Sequence, residues 1–359
     1  MNIVFLDSWL RDRASGSGSA VAIAGLQRGL ERLGHHVDVL RPRQGMPFLD
    51  LTRIVYNLSL ARRIERVAGC YDLAVGFDID GWALPVDPGA RFVVALKGVA
   101  AEEGRFETGL NRIRFAVYSH LEGRNARSAE RVFVTSRYAA RAAVDAYGLD
   151  PRSVRIAPEA IDEDVLRRAA VAGDEEPVPT DRAPVILSVA RQYRRKDTPT
   201  LLRAFAQVLD EFPAARLRIV GDGPRLPAAR WLAGRLGLAN TVTFTGALAS
   251  TAELDREYRR ARVFCLPSRQ EGFGIVYLEA MAYGLPIAAA EAGAVPEVAP
   301  PNRTSLLVPP GDAGALAAAL VRLLGERELA ARLGSAGPAR AREFDWTSTA
   351  QAFLDGLAN

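Results

Sequence analysis

Two successive series of short β-rich runs, each alternating with helical patterns, constrain this chain more than any other feature. "NIVFL" (2–6) reads as a buried strand, after which Ile23, Leu26, Leu30 and Leu33 recur at helical spacing. "HVDVL" (36–40), "DLAVGF" (72–77), "RFVVAL" (91–96) and "RVFVTS" (131–136) follow as strands. A second series runs through "PVILSVA" (184–190), "ARLRIVG" (215–221), "TVTFTG" (241–246), "RVFCLP" (262–267) and "PIAAAE" (286–291), with helices between such as 198–211. Strands joined through helices run parallel, with helices on both faces of the sheet. Between the series, "AAVAGDEEPVPTDRAP" (169–184) is acidic, proline-bearing and aperiodic, as a linker is.

The expected fold class is therefore α/β, with two doubly wound Rossmann-like domains facing a central cleft. They span 1–168 and 183–343, with 169–182 as linker. Such sheets take ligands beyond the carboxyl ends of their strands. "FDWTSTAQAFLDGL" (344–357) is amphipathic, and the segment 344–359 is expected to pack back on the first domain through Phe344, Trp346 and Phe353.

A chain of 359 residues suits two such cores. A net charge of +4 is too small for a nucleic-acid footprint, and no apolar run reaches the roughly 18 residues a membrane span needs. The opening "NIVFLD" has neither the basic start nor the long apolar stretch of a signal peptide. Cys70 and Cys265 stand in no ligand spacing and read as reduced thiols of a cytoplasmic protein. "RIVYNLSLARRIERV" (53–67) is a basic amphipathic helix, either a solvated face or a peripheral contact with the inner face of a membrane. The sequence carries no signal for oligomeric state. Only two of the 46 Lys and Arg residues are lysines, Lys97 and Lys196, which marks both as candidates for sites needing a compact ammonium.

The chemistry concentrates in "EGFGIVYLEAMAYGLP" (271–286), above the end of the strand "RVFCLP". Gly272 and Gly274 let backbone approach a ligand closely, and the first-turn amides of Gly274, Ile275 and Val276 form an anion site suited to a diphosphate. Glu279, on a largely buried helix, needs hydrogen-bond donors, and a ribose diol offers two. Glu271, outside the helix start, can accept from sugar hydroxyls or steady positive charge developing at an anomeric carbon.

With seven residues between them, Glu271 and Glu279 of "EGFGIVYLE" resemble the signature of retaining nucleotide-sugar glycosyltransferases of family 4, which have the GT-B fold. The likeness extends in order through "SGSGS" (15–19), "RLGHHVDVL" (32–40), "VARQYRRKD" (189–197), "IVGDGP" (219–224), "VTFTG" (242–246), "GAVPEV" (293–298) and "LLVPPGD" (306–312). The resemblance implies that Arg191 and Lys196 hold the donor diphosphate and neutralise the leaving group. It implies that Glu279 binds ribose, that Glu271 faces the transferred sugar, and that Phe273 to Val276 offer backbone amides. Gly221 and Gly223 fall on the donor side, while Gly16 and Gly18 approach phosphate and acceptor. Lys97 stands where many members have a histidine facing the donor sugar, and Glu159 and Ala160 where Asn-Gly is common.

Residues 14–20, "ASGSGSA", hold no general base of the kind an inverting transferase needs. His35 and His36 read as exposed or capping, and His120 as structural or solvated. The expectation is a metal-independent enzyme with front-face attack and retention, using a UDP-sugar and an acceptor that is a sugar, small molecule or lipid-linked group. "DID" (78–80) resembles metal-binding pairs of other transferases but has no accompanying His or Cys cluster, so no metal is expected. The alternatives are a non-catalytic nucleotide-sugar-binding protein and a nucleotide-sugar epimerase on the same fold.

Overall fold

The computed structural model describes residues 1–9, 18–42, 49–65, 69–84, 91–173 and 184–358. They form two compact units, one running to Ala160 and regaining the chain from Trp346, the other Ile161–Asp345.

The first unit contains β1 (Asn2–Leu6), α1 (Gly18–Arg32), β2 (His36–Leu40), α2 (Leu49–Glu65), β3 (Leu73–Phe77) and β4 (Arg91–Ala95). After these come α3 (Ala100–Gly104), α4 (Leu110–Ser128), β5 (Arg131–Val134), α5 (Arg137–Tyr147) and β6 (Val154–Ile156). Its parallel sheet has the order β2-β1-β3-β4-β5-β6, with Ile3 opposite Val37 on one side and Leu73 on the other. Ile3, Phe5, Val75 and Val93 are fully buried, since helices cover both faces of the sheet. Ser136 caps α5 by accepting from the Ala139 amide at 3.0 Å, and Gly148, at φ 62°, ends it.

The second unit opens with α6 (Glu163–Gly173), β7 (Val185–Val189), α7 (Thr198–Glu211), β8 (Arg216–Val220), α8 (Leu226–Arg235) and β9 (Val242–Gly246). It continues with α9 (Thr251–Arg260), β10 (Val263–Leu266), α10 (Ile275–Ala282), β11 (Ile287–Ala290), α11 (Val295–Val298) and β12 (Ser305–Val308). Helices α12 (Ala313–Gly325), α13 (Arg327–Ser335) and α14 (Gly337–Arg342) complete it, and α15 (Trp346–Ala358) returns to the first unit. The sheet order is β12-β11-β10-β7-β8-β9, again parallel. On α7, Leu201, Leu202, Phe205 and Val208 share the inward stripe the sequence predicts, packed against Leu217 and Ile219 of β8.

Two corrections follow. The expected linker starts too early, because Ala169 to Gly173 complete α6 and Ala169 is buried in the core beside Val165 and Leu166. Acidic residues and prolines further on hide that last helical turn; residues 174–183 lie outside those described. β6 and β12, the last strand of each sheet in chain order, escape the sequence reading.

The C-terminal helix is tightly keyed to α1. A Cβ added to Gly25 would lie 2.0 Å from the Trp346 ring, and one at Gly29 would lie 2.1 Å from the Trp346 carbonyl oxygen. Phe353 packs on Phe133 with ring centroids 4.2 Å apart.

Candidate active site

In the second unit the chain winds outward from β7 through β8 to β9, then returns to the other side of β7 as β10. The loops after β7 and β10 therefore part at a topological switch point, where doubly wound sheets bind ligands. Lys196, from the first loop, and Glu271, from the second, meet there with Nζ 2.5 Å from Oε1. The Ser268 hydroxyl donates to the same oxygen at 2.7 Å, and Arg195 places Nη1 3.7 Å from Oε2. Burial pushes the Glu271 carboxyl up, but Lys196, Arg195 and the hydrogen bonds from Lys196 and Ser268 outweigh it and hold it below the usual carboxylate range.

Glu271 is fixed from behind as well. Its carbonyl accepts from the Ala294 amide at 2.9 Å, and a Cβ on Gly293 would come within 2.3 Å of that carbonyl oxygen. The two loops are clamped together where Arg269 donates its amide to the Arg195 carbonyl at 2.7 Å and its Nε to Asp197 at 2.6 Å.

Gly221 and Gly223 sit in the neighbouring β8–α8 loop at φ 114° and 157°. Cβ atoms there would meet the Ala190 carbonyl oxygen at 2.1 Å and the Gln192 amide nitrogen at 2.7 Å. These glycines thus let one loop lie on the backbone that carries Arg191. Arg191 is half-buried, its guanidinium 5.5 Å from the centre of the Tyr193 ring.

At the mouth of α10, the N-cap residue Gly274 adopts φ 98° and ψ 64° and has no side chain with which to cap the helix. A Cβ would strike the Tyr277 ring at 2.6 Å, so glycine is required for both conformation and space. Gly272, Ile275 and Val276 are half-buried, whereas Phe273 is a core residue packed edge-on against Phe344. Glu279 has a different partner from Glu271. Tyr258 O–H donates to it at 2.8 Å, and burial raises its carboxyl to about 7 despite that bond. Glu271 and Lys196 are thus brought into contact, Arg191, Gly221 and Gly223 share the adjoining loops, and Glu279 stands on its own helix face.

The first unit has a polar cluster at its own switch point, between β1 and β3. Asp80 is fully buried and accepts from the Ser8 amide at 2.8 Å, the Ser8 hydroxyl at 2.7 Å and the Asn57 side chain at 2.9 Å. Asp78, at φ 54°, accepts from Trp9 Nε1 at 2.9 Å and from the Lys97 amide at 2.8 Å. Burial raises both carboxyls, with Arg53 opposing the shift. The "DID" carboxylates are therefore engaged by protein donors. Burial also lowers the Lys97 ammonium, against the opposing charges of Glu159 and Asp78, so Lys97 and Glu159 belong to one electrostatic group. Gly16 lies outside the described residues, and Gly18 opens α1 with open space where a side chain would stand.

Ser8, Arg53, Asn57, Arg195 and Ser268 are participants the sequence reading does not single out. Only Ser268 and Arg195 have a signal, through adjacency to Glu271 and Lys196.

The profile described as "Glycosyl transferases group 1" matches residues 183–326. D-inositol 3-phosphate glycosyltransferase of Nocardia farcinica is 30% identical over 343 residues, covering 89% of this chain and 74% of that protein. GDP-mannose-dependent alpha-(1-6)-phosphatidylinositol monomannoside mannosyltransferase of Mycobacterium tuberculosis is 36% identical over 194 residues, 52% of this chain, and the match spans half of that protein's length. Among solved structures, sucrose-phosphate synthase from Thermosynechococcus elongatus superposes with TM-score 0.80 at 23% identity, covering 99% of this chain and 98% of that one. Anabaena HepE, solved with UDP and glucose, gives 0.74 at 20% identity and covers 99% of both chains. With switch-point geometry, fold and sequence in agreement, the chain belongs to the group 1, family 4-like glycosyltransferases of the GT-B fold.

Proposed function

We propose that this chain is a retaining, metal-independent hexosyltransferase that moves a sugar from a nucleoside diphosphate donor to a hydroxyl of a polyol, sugar or lipid-linked acceptor. The observation that carries this reading is the contact of Lys196 and Arg195 with the buried Glu271 at a switch point, beside a helix whose N-cap is a glycine. Lys196 and Arg191 take the diphosphate with the amides of α10, and Glu279 takes the ribose. Glu271 then turns to the sugar. The bond from the anomeric carbon to the leaving phosphate oxygen breaks as the acceptor oxygen bonds to the same face. The acceptor proton passes to the departing phosphate, so no side-chain base is needed. Catalysis rests on charge stabilisation of the leaving diphosphate and on positioning. In the first unit, the Lys97–Glu159 group and the floor around Asp78 and Asp80 serve the sugar and acceptor side.

Some relatives are named for GDP-mannose and for inositol acceptors, whereas the sequence reading favours UDP. Melting with UDP, GDP, ADP or TDP separates these. A ligand at about 100 times its Kd adds about 2.7 kcal/mol of stability. One nucleotide is expected to shift the melt, and Arg191→Ala to lose that response. Transfer from the matching donor to inositol phosphates, with EDTA present, should give a product with the donor's anomeric configuration by NMR. An inverted product sinks the mechanism. Nucleotide binding without transfer to any acceptor favours the binding-protein reading, and C2 inversion of the donor sugar the epimerase reading.

A further inference from the structure

Tyr258 of α9 carries a hydroxyl into an apolar core. The residue is fully buried beside Phe264, Tyr277 and Leu278 of the second unit. A phenol buried without a partner is costly, so the hydroxyl needs an acceptor, and Glu279 Oε2 of α10 supplies one at 2.8 Å. Burial and the charge of Glu279 push the Tyr258 hydroxyl well above the ordinary tyrosine range, so it stays a donor at any working pH. The ring is held as firmly as the hydroxyl. It stacks on Tyr283 with centroids 5.1 Å apart and planes 8° from parallel, and the Tyr283 hydroxyl donates to Asp255 Oδ1 at 2.6 Å. Asp255, a helical turn before Tyr258 on α9, places its other oxygen 2.6 Å from Arg168 Nε of α6. Helices α6, α9 and the end of α10 thus meet around one phenol.

Glu279 has mixed electrostatic surroundings. Burial is the largest influence on its carboxyl and opposes ionisation, and the hydrogen bond from Tyr258 is the largest that favours it. Asp162, just before α6, and Asp255 of α9 also oppose ionisation, while Arg168 of α6 supports it. On α14, which packs against α10 as well, Arg340 turns to Glu343 and to the carbonyls of Glu297 and Val298, and Arg342 is exposed. The neighbouring strand β11, "IAAA", bears no titratable side chain. Tyr258 is therefore the group through which the protein sets the state of this carboxyl by direct contact.

We propose that Tyr258 is a positioning residue: through its hydroxyl it holds the Glu279 carboxyl in the orientation and the ionised form that accept from a ribose diol. The stack on Tyr283, braced by Asp255 and Arg168, keeps the phenol in place to do so. Tyr258 acts through Glu279 and not on the nucleotide itself. The inference rests on the ribose reading of Glu279 and extends it to a residue 21 positions away on another helix.

The test is an NMR titration of the side-chain carboxyls in the full chain, with Glu279 assigned by its loss in Glu279→Gln. The midpoint, about 7 in the wild type, should rise by about one pH unit in Tyr258→Phe, the worth of a hydrogen bond to a charged group. Melting curves check that the variants fold. Calorimetry with UDP, GDP, ADP and TDP reads the consequence for binding. A midpoint moved by that much leaves about a fifth as much ionised carboxylate at about pH 7 and nearly the same amount at about pH 9. For the nucleotide that binds, affinity should fall about fivefold at about pH 7, and most of that loss should be gone by about pH 9. In the Glu279→Gln background, Tyr258→Phe should cost no further affinity. An unmoved titration overturns the proposal. So does a loss of affinity that is equal at the two pH values or undiminished in the Glu279→Gln background. A moved titration with none of the four nucleotides bound upholds the hold of Tyr258 on Glu279 and overturns the nucleotide reading instead, so the two failures are told apart.

Discussion

At the switch point of the second unit, Glu271 sits between the cations Lys196 and Arg195; at the matching place in the first unit, Asp80 is held by Ser8 and Asn57, with Arg53 Nε donating to the Ser8 hydroxyl at 3.0 Å. Both carboxylates are buried, yet the surroundings hold Glu271 low and push Asp80 up. An ion pair made by two long cationic side chains can be re-partitioned when another anion arrives, because one cation can turn to it while the other and Ser268 stay with the carboxylate. Hydrogen bonds from a serine, an asparagine and a backbone amide cannot be shared out in that way. The same sheet architecture thus builds a responsive edge in one unit and a fixed floor in the other.

The comparison breaks most visibly at Asp80. Asp80→Ala leaves the buried Ser8 amide and hydroxyl and the Asn57 side chain without their acceptor and is expected to cost about 1–3 kcal/mol of stability or more, read by urea unfolding. A loss below about 1 kcal/mol would mean the floor is not structural. Glu271→Gln should do the reverse, keeping the fold and nucleotide binding while lowering kcat by about 10²–10³. A Glu271→Gln enzyme with wild-type kcat would remove Glu271 from the chemistry. Gly223→Ala is expected to displace the Gln192 backbone, costing about 1–3 kcal/mol from a Cβ at 2.7 Å in a conformation unsuited to alanine. Nucleotide affinity, measured by calorimetry, should fall with it.

The smallest effect is that of pH on Glu279. Its folded pKa of about 7 lies above the ordinary 4.5, so the folded chain holds the extra proton and loses stability as pH rises from about 4.5 through 7. A ribose diol donates to the ionised form, so nucleotide affinity should climb a few-fold between about pH 6 and 8. Glu279→Gln should flatten that profile; an unchanged slope would assign the titration elsewhere.

How much is legible depends on how local the cause is. The span of α7 can be read directly, because a proline at the start and a single apolar stripe specify it within its own residues. The strands are legible because burial on both faces leaves continuous apolar runs. Glu271 and Lys196 stand out by type, but their contact joins residues 75 apart and depends on strand order, which no local pattern contains. The cluster around Asp80 is harder still. "DID" invites a comparison with metal pairs because its donors, Ser8 and Asn57, come from elements far away in sequence.

The notch that Gly25 and Gly29 leave for Trp346 bears on how the molecule is made. The first unit is discontinuous: its outer helix α15 is synthesised only after all of Ile161–Asp345 has followed. At about 5–20 residues per second, that interval lasts on the order of ten seconds or more. During it, α1 and the Phe133 face of the sheet lack their cover, while Ile161–Asp345 can complete their own core. Of the two units, the one that begins to emerge earlier is completed later.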